Sequence, residues 1–168
     1  MRFRFVTGNA EISALIRLNG PPCRPFTPSH VEMVVEGWEP LLDSNGYLGA
    51  HADGGVMLRP IGYDAAVVID VPGYGKSELF VEVPMQDEVA ARQYAVSRIG
   101  SPYDFAAIVD FALPFIHADQ PKHLICSAFA TMTARAGGGL PFPIPSLAHA
   151  VSPAMLLNIF GGFINVLK

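Results

Sequence analysis

The amino-acid sequence predicts an α+β fold in which an antiparallel sheet packs against helices. Three observations carry this expectation. Short segments with alternating or β-branched character fill residues 29 to 83, helical periodicity takes over from Asp87, and Cys126 opens an apolar helical stretch. Strands grouped before helices, instead of alternating with them, argue against βαβ units and place a helix N-terminus against a sheet face.

Phe3 to Ile16 alternates irregularly and reads as strand and loop. The prolines and glycine of Gly20-Pro21-Pro22-Cys23-Arg24-Pro25 and Thr27-Pro28 then force an extended, turn-rich connection. Ser29 to Glu36 is predicted as a strand buried on one face or nearly on both, and a period of two puts His30, Glu32 and Val34 on the same face. After a polar turn region from Gly37 to Gly46, Tyr47–Ala52 and Val56–Ile61 read as strands hinged at Asp53-Gly54-Gly55. Ala65–Val71 and Glu78–Val83 read as two more, joined through Pro72-Gly73-Tyr74-Gly75.

From Asp87, Val89, Ala90, Tyr94 and Ile99 fall on one helical face, and Gly100-Ser101-Pro102 ends the helix. Tyr103 to Ile116 is predicted as a second, mostly apolar helix that stops or bends near Pro114. Cys126 begins a third, which runs through Ala128, Phe129, Met132 and Ala136 to Gly137-Gly138-Gly139.

With 168 residues, 51% hydrophobic and 15% charged, the chain can fill one core, and a single domain over residues 1–168 is expected. The formal charge is −4 and Lys and Arg are scattered singly, so there is no basic footprint for a nucleic-acid partner. Glu11 and Arg17 interrupt what would be the apolar core of a signal peptide, and two cysteines are too few for a disulfide framework. A cytoplasmic, reduced protein is therefore expected. The apolar run Met155–Leu167 contains two Asn and a Gly pair and falls short of the roughly 20 residues a spanning helix needs. It is expected to pack on the body or on a second copy, as a homo-oligomer contact.

Cys126 lies where the unpaired N–H groups and dipole of a helix N-terminus stabilise a thiolate and can receive an oxyanion. The same position suits a small buried core residue. Five histidines are candidate bases: His30, His51, His117, His123 and His149. His30 and His51 lie on consecutive predicted strands, so one ring can act as base while the other fixes its tautomer. His123, in the loop before the helix, reads as a surface residue. Glu32, two residues from His30, is a candidate supporting acid. Without CxxC or HExxH spacing, no metal or cofactor is expected, although Cys126, His123 and His30 form a conceivable ligand set.

Four segments, in order, resemble the circularly permuted papain-like hydrolases of the NlpC type, the group that includes YiiX-like proteins and lecithin retinol acyltransferase. They are Ser29-His30-Val31-Glu32-Met33-Val34, Ala50-His51-Ala52 with Gly54-Gly55-Val56, Gly100-Ser101-Pro102-Tyr103-Asp104-Phe105, and Ile125-Cys126-Ser127-Ala128-Phe129. The resemblance implies Cys126 as nucleophile, His30 as base and His51 as third member. A longer than usual span between the two histidines leaves Glu32 as the alternative third member. Tyr103 and Ser127 are supporting residues, Tyr103 by packing and Ser127 through its backbone N–H. The implied substrates are amides, peptides or lipid esters, without selection between hydrolysis and transfer. The alternative is a catalytically silent structural or interaction protein on the same frame, for example a phage or prophage assembly component.

Overall fold

A computed structural model describes residues 1–9, 11–18, 21, 26–104, 124–140 and 151–164. Its centre is a five-stranded antiparallel sheet built from β1 (Arg2–Val6), β2 (His30–Val35), β3 (Gly46–His51), β4 (Gly55–Arg59) and β7 (Glu78–Glu82), in the order β4-β3-β2-β1-β7. β5 (Asp70–Val71) and β6 (Gly75–Lys76) form a separate two-stranded ribbon. Among the described residues four helices accompany them: α1 (Glu11–Leu18), α2 (Glu88–Ser97), α3 (Cys126–Ala136) and α4 (Pro153–Ile164). The mixed α+β class and the antiparallel sheet agree with the sequence reading.

Strand register divides the sheet into two chemically different faces. Phe3 pairs with Met33 and Val81, Phe5 with Val31 and Leu79, and Met33 with Leu48, which places these apolar side chains on one face. That face is the core, and Phe3, Phe5, Val31, Met33 and Leu48 are wholly buried in it. α3 packs on β2 and β3, α2 packs on α3, and α4 reaches both α3 and β7. The opposite face carries Arg4, Glu32, Gly49 and His51, and is described with the site below.

α4 takes up much of the apolar C-terminal run. Pro153 occupies its first position, where a missing N–H costs nothing, and Ser152 Oγ accepts a hydrogen bond from the Met155 N–H at 3.1 Å. Phe160 is buried against Phe3 and Phe5, with ring centroids 4.8 and 6.1 Å away. Leu156, Leu157 and Phe160 of the run thus find cover on their own chain. Among the described residues no helix is long and apolar enough to cross a membrane.

Four sequence expectations need correction. The stretch Phe3 to Ile16, read as strand and loop, contains helix α1, and the irregular alternation hid the helical spacing of Ile12, Leu15 and Ile16. Ala65–Val71 is not a strand of the sheet. Its first part closes turns, with the N–H of Ala65 donating to Gly62 and those of Val67 and Val68 to Asp64; Val68 then makes an isolated antiparallel bridge to Gly8, and Asp70–Val71 is extended in the small ribbon. The buried face of α2 is Ala91 and Ala95, whereas Val89 and Ile99 are exposed. Small residues win there because α2 lies close to the end of α3: a Cβ at Gly137 would come within 2.8 Å of the Ala91 Cβ. Tyr103, placed at the start of a helix by its sequence, instead forms an isolated parallel bridge with Leu124. The rest of that expected helix, from 105 to 116, lies outside the described residues, as do Cys23, His117, His123 and His149.

Candidate active site

The β2 and β3 strands create the site by register alone. Met33 faces Leu48 and Val35 faces Gly46, and the same antiparallel count brings Glu32 opposite Gly49 and His30 opposite His51. The two imidazole rings stand 5.0 Å apart, centroid to centroid. Gly49 makes room for Glu32 beside His51. A Cβ there would meet Glu32 Cγ at 3.0 Å and His51 Nε2 at 3.2 Å, so any larger residue would push the carboxylate or the ring aside.

Glu32 lies at the bottom of this group and is wholly buried. Its Oε1 accepts the Tyr63 hydroxyl at 2.8 Å and lies 3.4 Å from His30 Nε2 and 3.5 Å from His51 Nε2. Its Oε2 accepts Arg4 Nη1 at 2.7 Å. The Arg4 guanidinium, itself buried, also binds Asp64 through both Nη atoms at 2.9 and 3.0 Å, donates through Nε to Glu78, and lies 4.2 Å from the centre of the Tyr47 ring. This is why a carboxylate can be buried on a sheet face: paired and hydrogen-bonded on both oxygens, it avoids the large cost of an isolated buried charge.

The electrostatics separate the two histidines. Burial alone lowers the His30 pKa, but the charge and hydrogen bonding of Cys126, followed by those of Glu32, outweigh it and raise the value from 6.5 to about 10. His51 moves the other way, down to about 4, chiefly because it is buried and then because His30 carries positive charge beside it. Glu32 is desolvated too, yet its contacts with His30, then Arg4 and His51, hold its carboxyl at about 2. One imidazole therefore holds a proton and its neighbour does not.

Cys126 is the first residue of α3, carries a free thiol, and is 2% exposed. Ile125 precedes it in extended conformation and has no side chain able to cap the helix, so the first-turn amides are not consumed by a capping group. Ser127 is buried, with its Oγ unpartnered among the described residues, and its carbonyl accepts the Thr131 hydroxyl at 2.7 Å. Tyr103 is held beside Cys126, and its phenol is pushed upward by burial and then by the neighbouring charges of Cys126 and Asp104. The loop carrying Tyr103 is tied to β4. Val56 N–H donates to the Ser101 carbonyl at 2.8 Å, and Gly55, at φ +77, passes so near that a Cβ would lie 2.2 Å from that oxygen.

The structure thus brings together Cys126, His30, His51, Glu32, Tyr103 and Ser127. Sequence reasoning missed Arg4, Tyr63, Asp64 and Gly49. Arg4 alternates with Phe3 and Phe5 as a solvent-facing strand residue does, and Gly62-Tyr63-Asp64 reads as an ordinary turn. Only the tertiary fold, by laying that turn over the sheet, makes Arg4 and Tyr63 partners of Glu32 and Asp64 a partner of Arg4. A separate depression of about 390 Å³, lined by Thr7, Ala14, Arg17, Phe26, Thr27 and Ile69, includes none of these residues. No protein-family model matches the chain, and no curated protein matches it either.

Proposed function

We propose that this protein is a thiol hydrolase or acyltransferase of the permuted papain-like kind, acting on an amide, peptide or lipid ester through Cys126 and His30. The observation that carries the reading is the placement of His30 between Cys126 and Glu32, which favours its protonated form. An imidazolium beside a sulfur supports a thiolate–imidazolium pair, the nucleophile and acid that acyl transfer needs.

In this reading the Cys126 thiolate attacks the substrate carbonyl carbon and the carbonyl π electrons move to oxygen. The backbone N–H groups around Cys126 and Ser127 donate to that oxyanion. As the tetrahedral intermediate collapses, the bond to the leaving group breaks and the His30 imidazolium gives it a proton, leaving a thioester on Cys126 and neutral His30. Water or another acceptor then loses a proton to His30 while attacking the thioester, and the thiolate departs. His51 and Glu32 orient the His30 ring, and Glu32 holds its positive charge.

The test is acylation of the full chain in a Cys23→Ser background with a chromogenic acyl ester, read by intact mass. The expected result is one acyl group per chain, absent in Cys126→Ala and formed roughly 100-fold more slowly in His30→Ala. An unmodified wild-type chain, or acylation at equal rate in Cys126→Ala, overturns the reading. A second reading, a catalytically silent interaction protein, is favoured by the 2% exposure of Cys126. It requires the thiol to stay unreactive in the same experiment.

A further inference from the structure

We propose that His30, Glu32 and His51 form a binding site for a divalent transition-metal ion, of which zinc is the best match in ligand type. The three side chains each offer one ligand atom, and these atoms all lie within 4.8 Å of one another. Two of the separations, 3.4 Å and 3.5 Å from Glu32 Oε1 to the two imidazole Nε2 atoms, equal the edge of a tetrahedron whose corners lie about 2.1 Å from a central ion. Two imidazole nitrogens and one carboxylate oxygen, with a fourth position left for water, is a ligand set that zinc accepts.

A second, independent observation points to a ligand. Among the described residues His51 Nε2 is buried and has no hydrogen-bond partner, and His51 as a whole is 7% exposed, while His30 Nε2 reaches only Glu32 Oε1, at 3.4 Å. Glu32 Oε1 cannot satisfy them both, since it already accepts the Tyr63 hydroxyl at 2.8 Å. A buried, unpaired nitrogen beside a second one held only by a long contact to the same oxygen is costly as it stands. A cation between the three atoms would satisfy both.

The surrounding charge favours the same occupant. One guanidinium, Arg4, is shared by three carboxylates, Glu32, Asp64 and Glu78, so the cluster carries one negative charge in excess with the His30 imidazolium counted and two once His30 gives up its proton. A divalent ion on neutral imidazoles balances that excess. The hydrogen bonds from Arg4 and Tyr63 also fix the Glu32 carboxylate, as the partners of metal-ligating carboxylates commonly do. Zinc on Nε2 displaces a proton from the His30 imidazolium, so the metal-bound and thiolate–imidazolium forms are alternative states of one cluster, and bound zinc is expected to block any acyl transfer by Cys126.

The experiment is zinc binding to the chelator-stripped full chain, by equilibrium dialysis with metal analysis, followed by cobalt substitution and optical spectroscopy. The expected result is one zinc per chain, weakened at least roughly 100-fold in His30→Gln and in His51→Gln. Binding should persist in the His117→Gln/His123→Gln/His149→Gln triple variant and in Cys126→Ala, and the cobalt form should lack a sulfur-to-metal charge-transfer band. Circular dichroism verifies that each variant is folded, and His51→Gln leaves the Arg4–Glu32 pair intact. Absence of stoichiometric zinc, unchanged affinity in folded His51→Gln, or loss of binding in Cys126→Ala would each overturn the proposed ligand set.

Discussion

The two faces of the central sheet are both buried, but by different means. One is covered by α3 and α4 and filled with Phe3, Phe5, Met33, Leu48 and Phe160, whose stability comes from area and packing and is indifferent to pH. The other holds Arg4, Glu32, Asp64 and His51, which stay buried only because each ion has its counter-ion in place. The lesson is that the charged face is a committed geometry: remove one member and the others become uncompensated. A face of that kind adds little net stability for its size, and what it supplies is a fixed carboxylate and two imidazoles in defined protonation states.

The strongest way to break this contrast is Arg4→Met. It leaves three carboxylates facing one another and is expected to cost about 4 kcal/mol, measured by urea unfolding at pH 7, with a smaller loss at acid pH where the carboxylates take up protons. Phe160→Ala, on the other face, is expected to cost about 3 kcal/mol through the cavity it leaves between Phe3 and Phe5. Its loss should be the same at both pH values. Equal pH dependence in the two variants would remove the distinction between the faces.

A more gradual effect, with a slope of at most about 1.4 kcal/mol per pH unit for each group, is expected in the pH dependence of wild-type stability. His51, lowered from 6.5 to about 4, contributes stability that is complete above pH 6.5 and is lost as pH falls through 4. Glu32, lowered from 4.5 to about 2, adds a further loss as pH falls through 2. His30, raised from 6.5 to about 10, contributes stability that is complete below pH 6.5 and is lost as pH rises through 10. Thermal melts should therefore peak near pH 6.5 and decline on both sides. In His51→Gln the decline between pH 6.5 and 4 should flatten.

The histidine cluster was legible in the sequence because strand periodicity is local information. A period of two joins His30 to Glu32, and a polar turn before the next strand brings His51 within reach of both. The sequence says nothing comparable about Arg4, Tyr63 and Asp64: Arg4 and Tyr63 reach Glu32 across 28 and 31 residues of chain, and Asp64 reaches Arg4 across 60. The same tertiary contacts explain the misread segments. Ala65–Val71 has strand composition, but at the foot of the turn laid over the sheet the N–H groups of Ala65, Val67 and Val68 find acceptors within the turn itself, and the N–H of Ile69 then pairs outward, donating to Thr7. On α2 the larger apolar residues made the more visible stripe, whereas the close approach of Gly137 selected Ala91 and Ala95 as the contact face.

The measurement that tests the Cys126–His30 pair most directly is the titration of His30, followed through its ring proton resonances in the full chain, in wild type and in Cys126→Ala. The account predicts a wild-type midpoint near 10 and a fall of at least roughly one pH unit when the sulfur is removed, because Cys126 is the largest influence holding the proton there. A wild-type midpoint near the ordinary 6.5, or a high midpoint unchanged in Cys126→Ala, would contradict it.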